Sequence, residues 1–220
     1  GLITHLPLIK KISKLNKTVI MSSGTANKSE LDSAVGVFNK SSIKNLVLLH
    51  CVSSYPTPFN QANLAKISAL KSRYNIPVGY SDHVMGYNAC LASVILQSCV
   101  IEKHFTFDIN RKNFDHHISL QKEDFYNMVK EIKLYKEMCG KENIWVSEIE
   151  NKNKKWMRRI IVAKSDLLKG HYIRESDILF LRPAAGKRGL KPKDFNLIVG
   201  KRVKKNINKL CPIKFNSLYD

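Results

Sequence analysis

Four short apolar runs, each followed by a stretch with helical spacing, constrain the fold of this chain more than any other feature. The runs occupy residues 18–21, 46–50, 77–80 and 100–105. Each has the length of a buried strand and is too short for a buried helix. The helical stretches are 5–15, the segment opened by Asn27-Lys28-Ser29-Glu30, 62–74, 87–97 and 121–138. Asn27 and Glu30 have the spacing of a capping box, and Leu31, Ala34, Val35 and Phe38 then recur at helical steps. The first helix is expected to use Thr4 as its cap, with Pro7 in its first turn. The last puts Phe125, Met128, Val129, Ile132 and Tyr135 on one face. Continuous apolar strands alternating with helices predict a parallel sheet covered by helices. Four such units are half of an eight-stranded barrel. An open, doubly wound sheet would carry a GxGxxG phosphate turn, and neither that motif nor GxxxxGK[ST] occurs.

After Gly140 the pattern changes. Residues 143–156 are polar and read as a linker between a partial barrel (1–142) and a second domain (157–220). The second domain is built from short β-like runs, such as Ile160-Ile161-Val162-Ala163, with tight turns such as Lys169-Gly170. It predicts a small, mostly β fold. No run approaches the ~18 apolar residues of a membrane-spanning helix. The chain opens Gly1-Leu2-Ile3-Thr4-His5, with no initiating Met and no signal-peptide pattern, and is expected to be part of something longer. Five cysteines without a CxxC spacing argue against a disulfide framework or zinc ribbon and predict core thiols in a reducing cytoplasm. The net charge of +19 is uneven: residues 151–220 hold 19 Lys/Arg against 5 Asp/Glu. Such a tail attracts anions, but its aromatics are not interleaved as a nucleic-acid stacking platform requires, so it is read as a solvated basic surface.

The polar residues fall where a barrel would need them. The four runs deliver, in turn, Ser22-Ser23-Gly24-Thr25, His50-Cys51-Val52-Ser53-Ser54-Tyr55-Pro56, Ser81-Asp82-His83 and Glu102-Lys103-His104-Phe105. In a (β/α) barrel the C-terminal strand ends hold the active site. His83 and His104 stand on adjacent strand ends, where two imidazoles suit a divalent metal with positions left open. Each is also the kind of residue that serves as a hydrogen-bonded structural group, and the residues alone leave both readings open. Ser53, Tyr55 and Ser81 offer hydroxyls to phosphate oxygens, or serve turns. Glu102 and Lys103 alternate faces, so at most one points inward. Of Asp115-His116-His117, only Asp115 is read as a substrate contact.

Together LLHCVSSYPTP (48–58), PVGYSDHVMGY (77–87), VIEKHFTFD (100–108) and DHHISL (115–120) resemble the N-acylneuraminate, or sialic acid, synthase family. RRIIVAKSDLLKGHYIRESDILFLRP (158–183) and IVGKRVKKNI (198–207) resemble the SAF, or antifreeze-like, domain that follows the barrel in that family. The resemblance implies the C-terminal half of a (β/α)8 barrel followed by a SAF domain of β-clip type. It implies a transferase that condenses phosphoenolpyruvate with N-acetylmannosamine or a related amino sugar, using Mn2+, or Mg2+ or Co2+. By the same resemblance His83 and His104 are metal ligands, Ser53, Tyr55 and Ser81 contact phosphate, and Glu102 and Asp115 act near the sugar hydroxyls. Arg182 would reach the sugar site of the partner in a domain-swapped homodimer, and Trp156 falls near an aromatic position that travels with that arginine and is read as a substrate contact. Asn113-Phe114 stand where the family usually has Gly-Pro, and Ala184 where it has Gly. The half-barrel is expected to be inactive by itself. The competing expectation is a non-catalytic carbohydrate- or anion-binding module carried by the basic SAF domain.

Overall fold

The computed structural model describes residues 1–15, 17–39, 45–184 and 187–219. The chain divides into two compact units, Gly1–Lys141 and Glu142–Asp220.

In the first unit the elements run α1 (Leu6–Ile12), β1 (Val19–Ser22), α2 (Lys28–Asn39), β2 (Leu46–Cys51), α3 (Lys66–Tyr74), β3 (Val78–Asp82), α4 (Asn88–Ile95), β4 (Ile101–Lys103) and α5 (Lys122–Cys139). The strands form one sheet in the order β1-β2-β3-β4, every neighbour parallel. All four C-terminal ends therefore lie along one edge. The helices close the local hydrogen-bond accounts as the sequence requires. Asn27 Oδ1 accepts from Glu30 N–H at 3.0 Å while Glu30 Oε2 accepts from Asn27 N–H at 2.8 Å, a capping box that starts α2. Its buried face, Leu31, Ala34, Val35 and Phe38, packs with Leu48, Ile67 and Val78 into the core between helices and sheet. α3 ends at Asn75, whose left-handed φ of 50° turns the chain toward β3. A second cluster, Cys90, Leu120 and Met128, joins α4 to α5.

Three expectations need correction. α1 is shorter than 5–15, and its cap is His5, whose Nδ1 accepts from Leu8 N–H at 3.2 Å; the ring reaches the donor that Thr4 was expected to satisfy. Val129 is 37% exposed, because α5 touches its neighbours along a narrower stripe than its apolar pattern covers. Only Cys51 and Cys90 are buried cysteines; Cys99, in the turn before β4, and Cys139, at the end of α5, are exposed.

In the second unit, the stretch expected as a linker carries α6 (Glu148–Met157). Ser147 Oγ accepts from Glu150 N–H and the Glu150 carboxylate accepts from Ser147 N–H, so this helix starts on a reciprocal cap. β5 (Ile160–Ala163) pairs antiparallel with β6 (Ile178–Leu181), and a single-turn α7 (Phe195–Ile198) follows. Isolated bridges such as Leu167–Ile207 and Val203–Leu218 tie the remaining segments around Ile161, Ile173, Ile198 and Ile213. Among the described residues no helix is long and apolar enough to cross a membrane.

Candidate active site at the strand ends

Register decides what the site contains. Cys51 lies beside Ser81, and Ser81 beside Glu102, across β2, β3 and β4. Side chains alternate across a strand, so Cys51 and Ser53, Ser81 and His83, and Glu102 and His104 face one cavity. Its volume is about 580 Å³, and Tyr55 lines it as well. His50, Tyr80, Asp82 and Lys103 turn the other way. This resolves the Glu102/Lys103 alternation: Glu102 faces the cavity, where its carboxylate accepts from Ser81 Oγ at 2.6 Å, and Lys103 is buried behind the sheet.

The two imidazoles are neighbours. Their ring centroids are 5.2 Å apart at 62°, and the Tyr55 ring lies 4.2 Å from His83 and 6.1 Å from His104. His83 Nδ1 sits 2.9 Å from Val52 O. A carbonyl only accepts, so Nδ1 carries a hydrogen, and in the neutral ring the lone pair is on Nε2. That is the state of a metal-ready histidine, with its second nitrogen anchored on a carbonyl. Burial alone would lower the basicity of His83, but the Cys51 sulfur, 3.9 Å from Nδ1, and the Val52 carbonyl hold it above its ordinary value. Burial and the neighbouring His83 instead push His104 down, which keeps that ring neutral near pH 7. His104 Nδ1 is 3.8 Å from Asp115 Oδ2, so Asp115 joins the rim of the site. Asp115 follows Asn113 and Phe114, which hold left-handed φ angles of 72° and 56°, a conformation that the Gly usual at the first position would adopt without cost. Among the described residues no group of three or more His, Cys, Asp or Glu is set to hold a metal. Two imidazoles are what this end could offer a cation, and most of its coordination would have to come from oxygen ligands elsewhere.

Gly24 contributes by what it lacks. A Cβ there would run into Ser53 Oγ and lie 3.2 Å from Cys51 Sγ, so the bare backbone lets the β1 and β2 ends converge on the cavity. Cys51 was not among the residues expected here; the two-residue step to Ser53 was the signal for it. Arg182 and Trp156 belong to the second unit: Arg182 is exposed just after β6, and Trp156 is 53% exposed near the end of α6.

Residues 1–144 match the NeuB family, and residues 158–218 match the SAF domain. The chain belongs to the NeuB family. It is 40% identical over 208 residues to the N,N'-diacetyllegionaminic acid synthase of Campylobacter jejuni, across 94% of this chain and 61% of that protein. Among solved structures, the N-acetylneuraminic acid synthetase of Leptospira borgpetersenii is similar at a TM-score of 0.67 and 34% identity, over 70% of this chain and 54% of that one. A putative spore coat polysaccharide biosynthesis protein E from Chromobacterium violaceum is similar at a TM-score of 0.77, over 100% of this chain and 66% of that one. Its 24% identity establishes the fold alone. The chain spans about 60% of the length of the curated relatives it matches. The expected likeness to sialic acid synthases and the half-barrel followed by a SAF domain are both borne out.

Proposed function

We propose that this NeuB-family chain carries the metal and phosphate end of a nonulosonic acid synthase that condenses phosphoenolpyruvate with an N-acyl amino sugar. The observation that carries the reading is the pair of imidazoles 5.2 Å apart, one with its tautomer fixed, in a cavity that also holds Ser53, Tyr55, Ser81 and Glu102. His83 and His104 would hold a divalent cation, Mn2+ first and Mg2+ or Co2+ as substitutes. When bound, the cation would supply Lewis-acid polarisation of the aldehyde oxygen of the open-chain sugar.

The chain's own residues do the rest. In the reaction proposed, the methylene carbon of phosphoenolpyruvate bonds to the sugar's aldehyde carbon, water adds at the enol carbon, and phosphate leaves by C–O cleavage. Ser53, Tyr55 and Ser81 present hydroxyls to the phosphate oxygens. Ser81 Oγ, now spent on Glu102, would turn to a phosphate oxygen and free the Glu102 carboxylate for a sugar hydroxyl. Asp115, on the rim beside His104, would take a second hydroxyl. Arg182, with Trp156, would complete the sugar site from the partner in a swapped homodimer. Four strands are half of an eight-stranded closure, so the 220-residue chain by itself is expected not to turn over. Sialic or legionaminic acid formation by the purified chain would overturn that expectation.

Manganese titration by electron paramagnetic resonance tests the metal reading. His83→Ala and His104→Ala are each expected to abolish binding, and unchanged binding in both would refute it. A second reading, anion binding by the SAF unit, rests on a cleft of about 710 Å³ lined by Lys155, Trp156, Arg158, Arg188, Lys191 and Lys193, with no carboxylate among the described residues that line it. Salt-sensitive retention of a phosphorylated sugar by residues 142–220, with no metal dependence, would favour it.

A further inference from the structure

Asp82 and Lys103 do not face the cavity, yet they are the chain neighbours of His83 and His104. Behind the sheet Lys103 Nζ lies 3.0 Å from Asp82 Oδ2, with the two side chains 1% and 0% exposed. The Asp82 carboxylate is fully committed. Oδ1 accepts from Tyr80 O–H and Val84 N–H, both at 2.9 Å. Oδ2 accepts from Lys103 and from the Cys90 thiol at 3.2 Å. Lys103 Nζ also donates to Val84 O. Val84 follows His83, so both backbone polar groups of the residue after one imidazole are held. One is held by the side chain that precedes that imidazole, the other by the side chain that precedes the second.

The stability of the sheet does not explain this choice. A buried ion pair is often no more stabilising than apolar side chains of the same volume, because desolvation offsets the attraction. Geometry is what the pair uniquely supplies. Without it, β3 and β4 are joined near this end by a short ladder, Tyr80–Ile101, Ser81–Glu102 and Asp82–Lys103, and by the Ser81–Glu102 side-chain bond on the cavity face, and both histidines lie one residue beyond the ladder.

We propose that the Asp82–Lys103 pair is a positioning clamp that fixes the spacing and orientation of His83 relative to His104. Its consequence for metal affinity rests on the metal reading above; its consequence for ring geometry does not.

The test uses the 220-residue chain and the double variant Asp82→Asn/Lys103→Met, which removes both charges at similar volume. Two readouts are taken beside a circular-dichroism check of folding: imidazole 15N–1H spectra of the metal-free chain, and Co2+ titration by visible absorption. The double variant is expected to fold, to lose the protected His83 Nδ1–H signal that the Val52 carbonyl holds, and to bind Co2+ about 10–100-fold more weakly. Tyr80→Phe, which removes one Asp82 donor but leaves the clamp on Val84, should keep the wild-type imidazole spectrum. A folded double variant with wild-type ring signals overturns the inference. Should the double variant not fold, Lys103→Gln decides the same question: it keeps a donor toward Asp82 but is one atom too short to hold Val84 as well. A wild-type chain that takes up no Co2+ would sink the metal reading, while the ring spectra still decide the clamp.

Discussion

Replacing Gly79 by Ala would place one methyl group in the seam between β3 and β4. The added carbon would lie 2.6 Å from Val100 O and 3.0 Å from Val100 Cβ, and against Leu49 Cδ2. The oxygen would be about 0.8 Å inside the 3.4 Å at which ordinary contact begins. Val100 O cannot swing away, because it accepts from Tyr80 N–H at 2.8 Å at the start of the β3–β4 ladder. Overpacking of this kind costs about 1–3 kcal/mol. The stiffer unfolded chain returns about 0.4–1 kcal/mol. The expected net loss is about 1–2 kcal/mol, and the strand seam that must open is the one across which Ser81 meets Glu102. Urea unfolding measures it, with far-UV circular dichroism weighted to the helices of the first unit. Both tryptophans, Trp145 and Trp156, lie in the second unit, so their emission follows that unit separately. The dichroism midpoint should fall by about 0.5–1 M, taking a slope of about 2 kcal/mol per M. A midpoint that holds or rises would mean the seam has room for a side chain, and the close-approach argument would be wrong.

Two further outcomes are expected. Tyr80→Phe keeps the buried ring but deletes its hydroxyl, which donates to Asp82 at 2.9 Å; losing a hydrogen bond to a charged acceptor should cost about 1.5–3 kcal/mol in the same urea experiment, and a neutral result would show that water replaces the hydroxyl. In the second unit, burial alone would raise the Asp177 carboxyl, but the His171 ring at 2.7 Å and Arg174 N–H at 2.9 Å hold it below its ordinary value of 3.8. A depressed carboxyl stabilises above its unfolded-state value and loses that contribution as pH falls through the folded-state value. Thermal unfolding followed by tryptophan emission should therefore weaken below about pH 4, and Asp177→Asn should flatten that acid limb; an identical limb in the variant would refute the assignment.

Much of this molecule was legible along the chain because the relevant physics is local. Asn27 and Glu30 stop and start hydrogen bonds within one turn, and a continuous apolar run needs no distant partner to declare itself a strand. The helix over the expected linker had such a local signal too, Ser147 and Glu150, but the polar composition around it masked the cap. The family motifs carried the likeness to sialic acid synthases, and with it the candidate residues.

Lateral arrangement was not legible. Cys51, Ser81 and Glu102 are separated by 30 and 21 residues, and only the hydrogen-bonded register of β2, β3 and β4 sets them side by side. The same register turned Asp82 and Lys103 to the rear and joined them there, an ion pair that no single strand reveals. Sequence determined what each strand end offers, because side-chain alternation is a property of one segment; the fold alone decided which offers meet, because ladder bonds between segments are settled only when the whole sheet assembles.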